Sequence, residues 1–155
     1  MHIKDFMITD TIYATKETTL EELLETLVNN KIGGVPVLDE NHKLLGMVTD
    51  GDVIRYLQPK GRTVYDIFSM VLVNEKEDLE AKLNYTIHDT VEKIMRRKEI
   101  CTVHEDDDLE KALLIFSKNR FKKIPVLNNE EKVVGVVSRG DLIRFISTKL
   151  ISSKK

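Results

Sequence analysis

Hydrophobic residues near the start of the chain follow the spacing of one amphipathic helix. They recur at i, i+3, i+4, i+7 and i+8, a pattern that predicts a buried stripe along one helical face. These positions are Leu20, Leu23, Leu24, Leu27 and Val28. Thr18 or Thr19 is expected to open the helix, because Thr18-x-x-Glu21 has the spacing of a capping box. Gly33-Gly34 is expected to end it.

Shorter apolar runs on either side of this helix predict strands. A short extended segment is expected at 11–14, and strands are expected at 35–38 and 43–49, separated by a polar turn. A second helix is expected over about 51–57. Pro36 falls near the start of its strand, where a missing backbone donor is tolerated.

The same order of elements returns in the second half of the chain. Val35–Tyr56 aligns without a gap with Ile124–Phe145, 89 positions later, and ten of the 22 aligned residues are identical. Because proline, glycine and aspartate match as well as apolar residues, the chain contains a duplication. The second copy is predicted to have strands at 100–103, 124–127 and 132–138, a helix opened by Asp107-x-x-Glu110, an apolar stripe at Leu109, Ala112, Leu113 and Phe116, and a last helix over about 140–150.

Each copy therefore has the predicted order strand, helix, strand, strand, helix. A unit of roughly 55–60 residues buries too little surface to be comfortably stable alone, so the two copies are expected to share one core. We divide the chain into a first repeat (1–57), a connector (58–88), a second repeat (89–151) and a polar tail (152–155) that is expected to fray.

The connector has no counterpart in the repeat. Pro59 and Gly61 mark a break in the pattern. Val64, Ile67 and Phe68 are compatible with a short helix. A second, polar helix is expected at 78–83.

Composition narrows the class of protein. Hydrophobic residues make up 41% of the 155 residues and charged residues 32%, as in folded globular domains. Lys and Arg (24) nearly balance Asp and Glu (26), so we expect no broad surface for nucleic acid or an anionic membrane. No apolar run approaches the ~20 residues of a membrane-spanning helix. The absence of a signal-peptide pattern and of a possible internal disulfide favours a cytoplasmic protein.

The junction between the last strand and the last helix of each repeat carries the candidate chemistry. A hydroxyl residue stands three positions before an aspartate, as Thr49 and Asp52 in one copy and Ser138 and Asp141 in the other. A helix N-terminus favours anions such as phosphate, and a nearby carboxylate can accept both hydroxyls of a ribose. The same pairs are also good helix caps that need no ligand, and either copy alone favours that interpretation.

Other candidate sites are weaker. The acidic run at 104–108 is explained better as the approach to a helix N-terminus than as a metal site. Cys101 is interpreted as a small core residue rather than a nucleophile. Arg55 and Arg144 recur on the last helices and either pair with neighbouring carboxylates or reach a ligand. We find no nucleophile–base set and no phosphate-binding loop of the Walker type, so we expect no enzymatic activity.

The repeated unit resembles a CBS domain, the cystathionine β-synthase-type module, and the chain resembles a tandem pair. The resemblance rests on the apolar-Pro-Val-Leu strand, the polar turn, the Gly-x-x-[Ser/Thr]-x-x-Asp stretch and the lead-in segments Ile3–Met7 and Val91–Met95. It implies an α+β (α/β) fold in which two β-α-β-β-α repeats pack about a pseudo-two-fold axis as one module. It also implies two clefts for adenosine-containing ligands and assembly into a homodimer.

The resemblance also implies roles for single residues. Asp52 and Asp141 would bind ribose, and Thr49 and Ser138 would contact phosphate or ribose. The backbone around the other matching positions would frame adenine, and these positions are Ile12, Tyr13, Gly34, Val35, Pro36, Thr102, Val103, Ile124 and Pro125.

The two copies differ in charge beside this pattern. Three cations in the second copy replace two glycines and a carboxylate in the first, and a cation near phosphate is favourable. We therefore predict that the cleft at Ser138–Asp141 is the better phosphate site, although a solvated helix end would also explain the two lysines. The positions are Lys122, Lys123 and Arg139 against Gly33, Gly34 and Asp50.

Together these features predict a regulatory module that senses an adenine nucleotide, AMP, ADP or ATP, and signals to an unidentified regulated protein. Two alternatives stay open. One is a structural or dimerisation module that binds no ligand. The other is a sensor of a different adenosyl ligand, such as S-adenosylmethionine or a cyclic dinucleotide.

Overall fold

The computed structural model describes residues 1–58, 62–66, 71–75, 79–118 and 122–153. The first repeat contains a 3-10 turn at Ile3–Asp5, helix α1 (Leu20–Asn30), strands β1 (Gly34–Leu38) and β2 (Leu44–Thr49), and helix α2 (Asp50–Leu57). Strands β3 (Arg62–Asp66) and β4 (Val71–Glu75) and helix α3 (Leu79–Thr86) follow. The second repeat contains a 3-10 turn at Val91–Lys93, strand β5 (Val103–His104), helix α4 (Leu109–Lys118), strands β6 (Lys123–Leu127) and β7 (Val133–Ser138), and helix α5 (Arg139–Ser153).

Strand pairing confirms the duplication. β1 pairs with β2 and β6 pairs with β7, both antiparallel, and Gly34 opposite Thr49 corresponds to Lys123 opposite Ser138. In both pairs the register shifts before the last residue of the first strand, between Val37 and Leu38 in β1 and between Val126 and Leu127 in β6. A parallel bridge from Ala14 to Val37 corresponds to the pairing of β5 with β6. The mixed α and β fold class predicted from the sequence is confirmed.

The segments that lead into the two repeats are exchanged. Residues 3–8, the first lead-in, pack on the second repeat, where Ile3 donates to the carbonyl of Asp107 and Ile8 pairs with Val136. Residues 91–96, the second lead-in, pack on the first repeat, where Arg96 pairs with Met47.

The buried side chains form two clusters rather than the one shared core that we expected. The exchanged lead-ins complete both of them, since Val91 and Met95 belong to the first cluster and Ile3 belongs to the second. The first cluster also contains Ala14, Leu20, Leu23, Leu27, Val35, Val37, Val48 and Val53. The second also contains Val103, Leu109, Ala112, Phe116, Ile124, Val126, Val137 and Leu142.

Helix α1 begins and ends at other residues than predicted, because of local hydrogen bonds. Thr19, not Thr18, caps the helix in a reciprocal box with Glu22, because the Thr18 hydroxyl accepts from the backbone of Thr15 instead. The helix ends before the glycines, at Lys31, which takes the left-handed conformation (φ 52°) and donates to two carbonyls of the last turn. Gly34 is already part of β1.

Four further predictions need correction. Val28 and Leu113 were placed in buried stripes, but both side chains are exposed, since they lie at the edge of their helical faces. Val64 lies in a strand, not a helix, and Ile67 and Phe68 fall outside the described residues. The predicted fraying at Ser152 is wrong because α5 runs to Ser153.

The predicted polar helix at 78–83 corresponds to α3, which packs against α2. Within the described part of the chain, no helix has the length and apolar character needed to cross a bilayer.

Candidate functional site

Both strand-to-helix junctions form the same hydrogen-bonded box. Thr49 donates its backbone N–H to Asp52 Oδ2 (2.9 Å), and the Asp52 N–H returns to Thr49 Oγ1 (3.3 Å). Ser138 and Asp141 repeat this arrangement at 2.9 and 3.1 Å. The capping interpretation is therefore confirmed for both pairs, and their carboxylates are fixed at the first turns of α2 and α5.

An arginine one turn further along each helix holds the other oxygen of each carboxylate. Arg55 Nη2 donates to Asp52 Oδ1 and Arg144 Nη2 donates to Asp141 Oδ1, both at 2.8 Å. The guanidinium groups lie over Gly51 and Gly140, where an added Cβ would stand 3.3 and 3.1 Å from the nearest guanidinium nitrogen. The arginines therefore pair with neighbouring carboxylates, and each of them also lines a cleft.

The first cleft opens at the N-terminus of α2 and has a volume of about 450 Å³. The first repeat contributes the helix terminus, and the second repeat contributes the opposite wall and two lysines. Its lining residues are Gly33, Gly34, Met47, Thr49, Asp50, Gly51 and Arg55 from the first repeat, and Arg96, Ile100, Cys101, Lys122, Lys123 and Pro125 from the second.

The second cleft opens at the N-terminus of α5 and has a volume of about 390 Å³. The contributions are reversed, because the helix terminus now comes from the second repeat. Its lining residues are Ile8, Asp10, Ile12, Lys31, Ile32, Gly33 and Pro36 from the first repeat, and Lys123, Val136, Ser138, Asp141 and Arg144 from the second.

The crossed composition corrects the predicted grouping of cations. Lys122 was grouped with Ser138, but it lines the first cleft, opposite Thr49. Lys123 lines both clefts. Arg139 lines neither, and its guanidinium donates to the Phe116 carbonyl at 3.1 Å. Two of the three cations that were assigned to the Ser138–Asp141 cleft, Lys122 and Arg139, therefore do not line it.

Other predicted site residues divide into those that line a cleft and those that do not. Thr49, Gly34 and Pro125 line the first cleft, whereas Ile12, Pro36, Ser138 and Asp141 line the second. The remaining predicted residues line neither cleft. Val35, Val103 and Ile124 are core side chains, Tyr13 packs its ring on His42, Thr102 lines a separate depression beside His104, and Asp52 faces the groove between α2 and α3.

The structure also adds residues that the sequence reasoning missed. Cys101 is partly buried in the wall of the first cleft, outside any strand, and burial raises the pKa of its thiol. The prediction that Cys101 is a core residue is wrong. The shift of 89 positions relates Cys101 to Ile12, a predicted site residue, and could have indicated that Cys101 lies at a cleft. Arg96 and Ile8 carry no such signal, because exchange of the lead-ins is not visible in the pattern.

Lys123 has an unusual environment for a lysine. Its ammonium donates to the Gly34 carbonyl oxygen at 3.3 Å, across the boundary between the repeats. Burial lowers its pKa, and the nearby Asp141 carboxylate opposes that shift. A partly desolvated cation of this kind interacts more strongly with an anionic ligand than a fully solvated one.

Carboxylates also enter both clefts. Asp50 accepts the backbone N–H of Gly51 at 2.7 Å and donates its own N–H to Gly33. Its carboxylate thus occupies the helix terminus of the first cleft, whereas Asp10 and Asp141 line the second.

Two carboxylates of the acidic run before α4 are held in ion pairs. Asp106 pairs with Lys4 and Asp107 pairs with Lys111. In the part of the chain that the structure describes, no group of three or more His, Cys, Asp or Glu side chains could hold a metal ion.

Comparison with known proteins places this arrangement among similar ones. Residues 3–59 and 91–148 match the model of the CBS domain. The chain is 34% identical over 134 residues to the CBS domain-containing protein CBSX1, chloroplastic, of Arabidopsis thaliana, covering 82% of this chain and 55% of CBSX1. The chain therefore spans about half the length of that relative.

Solved structures share the fold over nearly the whole chain. CBSX2 of Arabidopsis thaliana in complex with AMP superposes with a TM-score of 0.70 at 24% identity, covering 99% of this chain and 98% of that one. The CBS domain pair of protein MJ0100, in complex with 5′-methylthioadenosine and S-adenosyl-L-methionine, superposes with a TM-score of 0.66 at 24% identity, covering 96% and 98%.

Proposed function

Because this chain belongs to the CBS-domain family, we propose that it is a regulatory module that binds an adenine nucleotide, AMP, ADP or ATP, between its repeats. Binding alters the relative population of two arrangements of the repeats, and a protein partner responds to that change. AMP in the structure of CBSX2 and adenosyl compounds in that of the MJ0100 pair support this ligand class.

The observation that carries the proposal is the crossed composition of the clefts. Each cleft combines an extended wall from one repeat with a helix N-terminus and an arginine, Arg55 or Arg144, from the other. A ligand in either cleft therefore touches both repeats at once. Its binding free energy depends on their relative position, which is the requirement for a ligand to shift a conformational equilibrium.

We assign the nucleotide phosphates to the first cleft. Its described lining contains Arg55, Arg96, Lys122 and Lys123 against one carboxylate, that of Asp50. Because Asp50 already occupies the helix terminus, the phosphates are placed toward the lysines rather than at the first turn of α2. This assignment reverses the ranking of the clefts that the sequence suggested.

The second cleft supports a second candidate ligand class. Asp141 lines it and offers carboxylate oxygens to ribose hydroxyls, as the resemblance implied. Its described lining pairs two carboxylates, Asp10 and Asp141, with the cations of Lys31, Lys123 and Arg144. This near balance suits an adenosyl compound without phosphate, such as S-adenosylmethionine or 5′-methylthioadenosine.

We further propose that the module is a homodimer. Ile54 on α2 and Ile143 on α5 occupy equivalent positions and are 68% and 64% exposed. Leu114 on α4 and Leu150 on α5 are also exposed, and apolar side chains of this kind favour association. The molar mass by light scattering should fall to that of one chain in the double variant Ile54→Glu/Ile143→Glu. The cytoplasmic location stays a prediction.

Thermal unfolding with a panel of ligands tests the proposed function. At about 100 times its dissociation constant, a bound ligand adds about 2.7 kcal/mol to the free energy of unfolding, or several degrees in Tm. We expect AMP, ADP or ATP to raise the Tm and GMP to have no effect. A rise with S-adenosylmethionine alone would favour the second candidate, and no rise with any adenosyl compound would favour a purely structural module.

A further inference from the structure

One lysine lies on the boundary between the two clefts. Of the described residues, Gly33 and Lys123 line both cavities, and Lys123 alone of the two carries a charge. The residue equivalent to Lys123 in the other repeat is Gly34, and the Lys123 ammonium donates to its carbonyl oxygen. Among the described residues, one ammonium therefore lies on the boundary between the clefts, where a symmetric module would have two or none.

The two clefts depend on this ammonium to different degrees. Without Lys123, the described lining of the first cleft retains the cations of Arg55, Arg96 and Lys122 against Asp50. The second cleft would retain two cations, Lys31 and Arg144, against two carboxylates, Asp10 and Asp141. The second cleft thus has a surplus of positive charge only when Lys123 turns toward it.

Lys123 is able to serve either side. Within the described part of the chain, its ammonium makes one hydrogen bond, which uses one of its three donors and is long, at 3.3 Å. The lysine side chain is flexible, so the ammonium can leave the carbonyl for a phosphate in either cleft. It cannot neutralise two phosphate groups in different clefts as well as it neutralises one.

We propose that the two clefts share the Lys123 ammonium as a phosphate-binding group. An anionic nucleotide in the first cleft then weakens the binding of anionic ligands in the second cleft. The binding of uncharged adenosyl compounds in the second cleft is unaffected. This inference rests on the proposed function, since it takes both clefts to be adenosyl sites. It predicts that the filled module holds one nucleotide and one uncharged adenosyl compound.

The test measures AMP binding to the second cleft with the first cleft either filled by AMP or blocked. Cys101, the single cysteine, lines the first cleft, so alkylation by N-ethylmaleimide blocks that cleft without placing a phosphate in it. A fall in the calorimetric stoichiometry of adenosine from two to one per chain verifies the block. Adenosine is the uncharged probe, because it shares the base and ribose of AMP.

In the wild-type chain, we expect the affinity of the second cleft for AMP to be about tenfold lower when AMP fills the first cleft than when the first cleft is alkylated. A tenfold change lies within the usual range of coupling between sites. In Lys123→Met the two affinities should agree. Lys123→Gln, which keeps a polar end near the Gly34 carbonyl, should behave like Lys123→Met. In Lys31→Met, whose lysine lines only the second cleft, both affinities should fall and their ratio should persist.

Three results would overturn the inference while leaving the proposed function standing. The first is an equal AMP affinity of the second cleft in the wild type whether the first cleft is filled by AMP or alkylated. The second is a tenfold ratio of these affinities that persists in Lys123→Met. The third is a tenfold ratio for adenosine as well as for AMP. Failure of AMP, ADP, ATP and adenosine all to bind the unmodified chain would instead overturn the proposed function and this inference together.

Discussion

Ile8 and Val136 exchange two backbone hydrogen bonds, of 2.9 and 3.0 Å, although they lie in opposite repeats. Met47 of the first repeat and Arg96 of the second lead-in form the equivalent pair of hydrogen bonds, at 2.9 and 2.8 Å. Through these contacts each repeat receives the lead-in of the other. Because Ile8 and Arg96 also line the clefts, the crossed contacts that stabilise the fold are the ones that assemble the candidate sites.

Truncating Ile3 tests whether the exchanged lead-in is part of the second core. Its side chain is fully buried in that core, so Ile3→Ala should lower the free energy of unfolding by about 2–5 kcal/mol, as measured by denaturant unfolding. The matched control is Ile8→Ala in the same segment, because the Ile8 side chain is 44% exposed. The control should change stability by about 0.5 kcal/mol or less. Equal losses from the two variants would show that the first lead-in does not pack as described.

Asp52 and Asp141 form the same hydrogen bonds but stand in different relation to the clefts. Asp52→Ala and Asp141→Ala should each cost about 1–2 kcal/mol of stability, because each removes a capping box. Only Asp141 lines a cleft, so only its replacement should weaken adenosine binding, by about tenfold or more. Calorimetry of both variants with adenosine makes the comparison. Equal losses of affinity would contradict the described position of Asp52.

Tyr56 links α2 to the residues just before the second lead-in, because its phenol O–H donates to Asp89 Oδ2. This hydrogen bond raises the pKa of Tyr56 to about 12 and lowers the pKa of Asp89. A raised folded-state pKa stabilises the protein below the unfolded value of 10.0, and that contribution is lost as the pH rises toward 12.

Tyr56→Phe should therefore be less stable than the wild type by about 1–3 kcal/mol at neutral pH, since the lost bond involves a charged acceptor. The difference should shrink between pH 10 and 12, where the unfolded wild-type phenol ionises first. Urea unfolding at pH 7, 9 and 11 provides the measurement. A difference that is constant over this range would mean that the phenol does not hold its proton through the Asp89 bond.

Much of the fold follows from the sequence because repeated residues have repeated structural roles. The offset of 89 residues that aligns Val35–Tyr56 with Ile124–Phe145 also relates the strand registers and the two capping boxes. The predicted CBS family is confirmed by the match of both repeats to the domain model, and the predicted fold class is confirmed by the structure. Local hydrogen bonding was harder to predict, since Thr18 and Thr19 have the same chemistry and only the structure shows which hydroxyl the Glu22 N–H reaches.

The composition of the clefts could not be read from the repeats one at a time. Lys122 was grouped with Ser138 because both belong to the second repeat, whereas the packing of the two repeats places Lys122 in the first cleft with Thr49. Equivalent positions in the two lead-ins, such as Ile8 and Arg96, are 88 residues apart instead of 89. The second repeat has one more residue than the first between its lead-in and its first extended segment. A shift of 89 therefore misses the lead-in contacts, and only tertiary packing reveals them.

Protection of Cys101 by AMP tests the central claim, that an adenine nucleotide binds between the repeats, most directly. The rate of alkylation by N-ethylmaleimide should fall about 100-fold with AMP at 100 times its dissociation constant, because a filled first cleft shields the thiol. Lys122→Met should need more AMP for equal protection, whereas Lys31→Met should behave like the wild type. An alkylation rate that saturating AMP, ADP and ATP all leave unchanged would contradict the account.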